Sequence, residues 1–136
     1  VYHFAAAPAS FVGDTLLGMG CVRLFEGTPG QMWSSLQKIM QWPDETRLYC
    51  AHEYTQSNAR FALTVEPQNR ALQERAATVA RLRAAGQATV PTTLGEERAT
   101  NPFVRAHSQD LRATIELTDA ADVDVFAKTR ALKDSF

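Results

Sequence analysis

The chain has 136 residues, about the length of one ordinary domain, and 45% of them are hydrophobic. Its 14 basic and 15 acidic residues give a net charge of −1, which indicates no nucleic-acid-binding surface, and no apolar run approaches the roughly 18 residues of a membrane span. Cys21 and Cys50 form no Cys-x-x-Cys pair, so we interpret them as reduced thiols of a cytoplasmic protein, with a disulfide as the alternative.

Residues 1–54 are predicted to form an α/β segment. Short strands are expected at residues 1–6, 9–13 and 46–51. Thr28 and Pro29 are typical of a helix start, and apolar residues recur at helical spacing over residues 29–41. Because the chain opens directly in an apolar run, we expect it to be a piece of a longer protein.

Residues 55–136 are predicted to be helical. Asn69 and Gly86 are typical of the two caps of a helix whose apolar stripe we interpret as a packing face rather than a cofactor site. Asn101-Pro102-Phe103 is expected to be a structural turn anchored by Phe103. The predicted helices cover about 56–65, 69–85, 94–99, 108–114 and 120–133.

Two polar residues follow predicted strand ends. Asp14 comes directly after Gly13, and His52 comes after an apolar strand that ends near Ala51. A carboxylate and an imidazole at one sheet edge are a plausible pair of metal ligands. Taken alone, a structural Asp in a turn and a partly buried His are the more common arrangements.

The segments around these residues resemble the C-terminal half of one enzyme family, glyoxalase II, also called hydroxyacylglutathione hydrolase, of the metallo-β-lactamase fold. The resemblance covers essentially the whole chain, in order and with compatible spacing. The matching segments are GDTLL at 13–17, GCVRLFEGT at 20–28, CAHEYT at 50–55, ER at 97–98, NPFVR at 101–105 and RALKD at 130–134.

The resemblance implies a fold and a metal site. Residues 1–54 would be the C-terminal part of an αββα sandwich, and residues 55–136 would be a helical glutathione-binding domain. Asp14 would bridge two divalent ions (zinc, with iron or manganese as alternatives), and His52 would bind one of them. A hydroxide between the ions would hydrolyse S-D-lactoylglutathione to D-lactate and glutathione, a step in methylglyoxal detoxification.

The resemblance also implies residues that bind the substrate. Arg23 stands where the family has a basic residue near the glutathione peptide, and Phe25 stands where some members have a tyrosine. Tyr54 matches a tyrosine that contacts glutathione; its alternative role is in the core. Arg130 and Lys133 match a pair that receives the glycine carboxylate, and their alternative role is a solvated helix face.

One departure from the family is large. Its His-x-His-x-Asp-His metal motif is absent from the 136 residues, as is a further ligand histidine, and neither His3 nor His107 stands in a ligand motif. We therefore expect the chain alone to be inactive and to bind metal weakly. We also expect it to self-associate through an uncovered sheet.

Other interpretations remain open at this stage. The chain could be a hydrolase of another acyl thioester, or a non-catalytic helical module that binds glutathione or a partner chain. A companion chain that supplies the missing ligands is a third arrangement. We expect neither a nucleic-acid partner nor a membrane.

Overall fold

The computed structural model describes residues 2–4, 9–13, 16–17, 20–21, 28–50, 54–89 and 91–136. Asp14, Arg23, Phe25 and His52, which the resemblance assigns to the site, lie outside these residues. Within the described part of the chain, no helix is both long and apolar enough to cross a membrane.

Six short strands form two sheets. A four-stranded sheet has the order β1–β2–β5–β6, and β3 pairs with β4 in a separate hairpin. In the larger sheet, β2 and β5 run parallel, whereas β1 and β6 pair antiparallel with their neighbours. The strands are β1 (Tyr2–Phe4), β2 (Ala9–Gly13), β3 (Leu16–Leu17), β4 (Gly20–Cys21), β5 (Arg47–Cys50) and β6 (Thr92–Thr93).

Six α-helices and one 3₁₀ helix complete the described chain, and most of them begin at a side-chain cap. Thr28 accepts a hydrogen bond from the Gln31 amide, and the Gln31 side chain accepts one from the Thr28 amide. The helices are α1 (Pro29–Ile39), α2 (Thr55–Val65), α3 (Arg70–Ala84), α4 (Leu94–Thr100), the 3₁₀ helix (Pro102–Val104), α5 (Gln109–Thr114) and α6 (Asp122–Asp134).

The apolar core joins the strands to the helices. Leu36 and Ile39 of α1 and Leu48 of β5 are buried in one cluster with Phe103 and Phe126. A smaller cluster packs α3 on α2 through Ala59, Ala62, Leu72 and Val79. The α3 stripe was predicted to consist of Leu72, Ala76, Val79, Ala80 and Leu82, and its packing role is confirmed except at Ala80, which is exposed.

Most predicted elements match the structure, and the fold class is supported at a coarser level. The described chain is mostly helical with a small mixed sheet, so the αββα sandwich stays a prediction, as does the domain boundary at residue 54. Two features were not predicted: the β3–β4 hairpin, and β6, which pairs the region after residue 54 with β5.

Candidate functional site

The larger sheet brings two candidate strand ends together. In the parallel pair, Gly13 of β2 lies opposite Cys50 of β5. Asp14 follows Gly13 directly, and His52 follows Cys50 by two residues. Parallel strands end at the same edge of a sheet, so Gly13 and Cys50, the last described residues of the two strands, lie at one edge.

The side-chain types of Asp14 and His52 suit a divalent metal ion. A carboxylate and an imidazole are both ligands of zinc, iron and manganese, whereas a complete site uses three or four protein ligands for each ion. Among the described residues, no group of three or more His, Cys, Asp and Glu side chains could hold an ion. A metal site that used Asp14 and His52 would therefore need further ligands from outside the described residues.

α2 begins at Thr55, shortly after β5 ends at Cys50, and one of its faces starts at Tyr54. Tyr54 precedes the first turn of α2, and Asn58 and Phe61 follow it at spacings of four and seven residues. These spacings put the three side chains on one face, and Phe61 lies roughly 10 Å along the helix axis from Tyr54. Tyr54 is 52% exposed, so the alternative that placed it in the core is wrong.

Lys133 lies at the far end of this face. Its Nζ is 5.8 Å from the ring centroid of Phe61 and 5.5 Å from that of Phe136. The two rings meet edge to face, with their centroids 5.6 Å apart. Distances below about 6 Å allow a cation–π attraction, so the rings favour the ammonium in this position.

Arg130 lies one helical turn before Lys133 and is only 4% exposed. Its guanidinium lies over Phe103, 5.0 Å from the ring centroid, and forms an ion pair with Asp134 at 2.9 Å. The alternative interpretation of Arg130, as part of a solvated helix face, is therefore wrong. Because Phe103 stacks on Phe61 at 6.0 Å, Arg130 and Lys133 lie above neighbouring rings of one aromatic group.

The β3–β4 hairpin packs against the end of the α2 face that lies away from Lys133. Asn101 donates a hydrogen bond of 3.0 Å from Nδ2 to the Gly20 carbonyl. A Cβ atom on Gly20 would lie 2.5 Å from Asn58 Nδ2, so α2 packs directly against the backbone of β4. β4 lies between Asp14 and Arg23 in the sequence, and its position is therefore tied to the helices.

Three contributors to this surface were not identified from the sequence. Asn58 could have been identified from its spacing, because it follows Tyr54 by four residues and therefore shares its helix face. The roles of Phe61 and Phe136 have no such signal, because they depend on how α2 and α6 pack. Asn101 and Phe103 were predicted as a structural turn, and Phe103 is indeed buried with 1% exposure.

Comparisons with known proteins agree with the resemblance. The family described as "Hydroxyacylglutathione hydrolase C-terminus" matches residues 53–136. A curated relative from Brucella anthropi, named hydroxyacylglutathione hydrolase, is 55% identical over 135 residues, which cover 99% of this chain and 52% of the relative. Relatives of the same name from Brucella ovis and Brucella abortus are 54% identical over the same shares. The chain spans about half the length of the curated relatives it matches.

Proposed function

Because the chain belongs to the hydroxyacylglutathione hydrolase family, we propose that it forms the C-terminal half of a metal-dependent thioesterase. The full-length enzyme hydrolyses S-D-lactoylglutathione to glutathione and D-lactate. The observation that carries the proposal is the parallel pairing of β2 and β5, with Gly13 opposite Cys50. This pairing supports a shared site for the two residues that follow, Asp14 and His52.

Asp14 and His52 are the proposed metal ligands of this half. A carboxylate has two oxygens and can bind two ions at once, whereas the imidazole of His52 binds one. Divalent ions held there would lower the pKa of a bound water molecule and polarise the thioester carbonyl. The remaining ligands lie outside this sequence, so the isolated chain is proposed to be inactive.

The proposed binding surface for the glutathione part of the substrate extends from the exposed Tyr54, at the start of α2, to Lys133 of α6. Asn58 and Phe61 of the same α2 face are buried and support this surface from within. An extended tripeptide is about 10 Å long, which is the separation of Tyr54 and Phe61 along the helix. Tyr54, beside the metal edge, contacts the portion near the thioester. Lys133, held over Phe61 and Phe136, receives the glycine carboxylate as a point charge.

Arg130 and the residues before α1 complete the proposed substrate contacts. Arg130 contributes a second cation, and its pairing with Asp134 fixes the guanidinium beside Lys133. Arg23 contacts the glutathione peptide, and Phe25 lies near it without the hydroxyl group of a tyrosine. This distribution of cations favours a thioester with an anionic peptide tail over another acyl thioester.

Lys133→Ala in the full-length enzyme tests this assignment. Loss of one charged contact is worth about 1.5–3 kcal/mol, so we expect KM for S-D-lactoylglutathione to rise about tenfold or more with kcat little changed. Steady-state kinetics would measure both. We choose Lys133 over Arg130 because it is half-buried, whereas truncation of the buried Arg130 would also disturb packing.

A matched lysine on the same helix provides the control. Lys128 is exposed on α6, and Lys128→Ala removes the same charge from the molecule. It should leave KM unchanged. Equal KM values for the Lys133 variant and the wild type would contradict the proposed carboxylate contact.

A further inference from the structure

We propose that Asn101 is a positioning residue that sets the substrate affinity of the enzyme by fixing Gly20 of β4. Asn101 lies in the turn between α4 and the 3₁₀ helix and is fully buried. The inference rests on the proposed function, because it requires that Arg23 contacts the glutathione part of the thioester.

The amide of Asn101 has partners in three directions. Nδ2 donates to the Gly20 carbonyl at 3.0 Å and to Glu97 Oε2 at 2.9 Å, while Oδ1 accepts from the Phe103 amide at 2.9 Å. An Asn side chain has two N–H donors, and both are used here. Each partner belongs to a different element: β4, α4 and the 3₁₀ helix.

Buried charges fix the orientation of this amide. Glu97 is fully buried, and its Oε1 is 2.8 Å from the Arg75 guanidinium and accepts from the Thr92 hydroxyl at 3.0 Å. A carboxylate can only accept hydrogen bonds, so Nδ2 of Asn101 must face Glu97 and the second N–H must face Gly20. An alternative rotation of the amide would place Oδ1 against the carboxylate.

Gly20 is confined from a second side by α2. The absence of a side chain lets Asn58 approach so closely that a Cβ atom would lie 2.5 Å from its amide nitrogen. The peptide of Gly20 is therefore held between Asn58 and Asn101. Both contacts are buried, and a displacement of β4 would leave the Asn101 donor unpaired at a cost.

The consequences differ for the two neighbouring site residues. Asp14 follows Gly13, which is held directly by pairing with β5, and the coupling of Asp14 to β4 is indirect, through the pairing of β3 with β4. Arg23 follows the end of β4 by two residues, and β4 is held by that pairing and by the Asn101–Gly20 contact. Loss of the contact should therefore weaken substrate binding and leave the metal site and the chemical step intact.

Asn101→Ala in the full-length enzyme is the test. We expect KM for S-D-lactoylglutathione to rise about tenfold, with kcat changed less than about twofold and the bound metal unchanged. Gly20→Ala displaces β4 from the other side, because its Cβ would clash with Asn58, and should also raise KM, which keeps the test decisive if Asn101→Ala does not fold.

Asn69→Ala is the matched control. Asn69 also caps a helix, accepting from the Leu72 amide at 3.2 Å, and it donates to the Ala99 carbonyl at 2.9 Å and to the buried Glu66. Among the described residues, Asn69 forms no hydrogen bond with β4. Its loss should reduce stability and leave KM unchanged, so a KM increase shared by both variants would assign the effect to general destabilisation.

Amide hydrogen exchange of residues 20–25 gives a readout that does not depend on activity. It should accelerate in Asn101→Ala and not in Asn69→Ala. An unchanged KM overturns the proposal, whatever the exchange shows, and unchanged exchange refutes the anchoring step itself. A wild-type enzyme without thioesterase activity would instead refute the proposed function, and exchange alone would then decide whether Asn101 anchors β4.

Discussion

Two residues in left-handed backbone conformations show how residue identity affects stability. Gly86 has φ of 72° and ends α3, and Glu116 has φ of 62° and ends α5. Both caps use the same pair of hydrogen bonds. The Gly86 and Glu116 amides donate to the Arg83 and Ala113 carbonyls, and the Gln87 and Leu117 amides donate to the Leu82 and Arg112 carbonyls. Glycine adopts this conformation without strain, whereas an L side chain does not.

Exchanging glycine and a side chain at these caps should have opposite effects. Gly86→Ala should destabilise the protein by about 1 kcal/mol. Glu116→Gly should stabilise it by about 0.5–1 kcal/mol, because the relief of backbone strain exceeds the additional conformational entropy that glycine loses on folding. Urea denaturation of each variant measures both changes. Glu116→Ala retains the strain and should show no gain; a gain equal to that of the glycine variant would contradict the assignment.

At the scale of elements, the helices with clear caps were the most predictable. Thr28-Pro29 and the Asn69–Gly86 pair mark their helices in the sequence itself. The two-residue strands β3, β4 and β6 are too short to show an alternating pattern, and they exist because other elements pair with them. Likewise, the strands that precede Asp14 and His52 were predictable, and the site role of these two residues stays a prediction, whereas the rings around Lys133 depend on α2–α6 packing.

A buried ion pair holds the end of α2 against the turn before α5. Glu66 follows α2 and is fully buried; Arg105 donates from Nε to its two oxygens at 3.1 and 2.9 Å, and Ser108 donates at 2.6 Å. Removing one partner of a buried pair leaves an uncompensated charge. The pair therefore makes the packing of α2 against the turn before α5 strongly dependent on Arg105.

Arg105→Ala should lower the free energy of unfolding by about 3–5 kcal/mol. Asp44→Ala is the comparison, because Asp44 pairs with Arg98 but its side chain is 68% exposed, and it should cost less than about 1 kcal/mol. Urea midpoints and slopes for the two variants would give these values. Similar losses in both variants would show that the Glu66 pair is not the dominant interaction.

At the scale of the whole molecule, the described elements form one continuous connection between the two ends of the proposed substrate. Gly13 and Cys50 at the β2–β5 edge precede the proposed metal ligands in the sequence. β4 is held by Asn101, and the α2 face extends to Lys133. Aromatic rings from α2, the 3₁₀ helix and the end of the chain support the far end. Metal and glutathione binding are thus proposed to use one packed body rather than separate modules.

The central claim is that Asp14 belongs to a metal site required for thioester hydrolysis. The direct measurement is the bound metal and the turnover of S-D-lactoylglutathione for the full-length enzyme and its Asp14→Ala variant. Loss of the bridging ligand should remove at least one of two metal equivalents and reduce kcat/KM by about 1,000-fold or more, equivalent to about 4 kcal/mol. A variant that keeps both the wild-type metal content and the wild-type turnover would contradict the account.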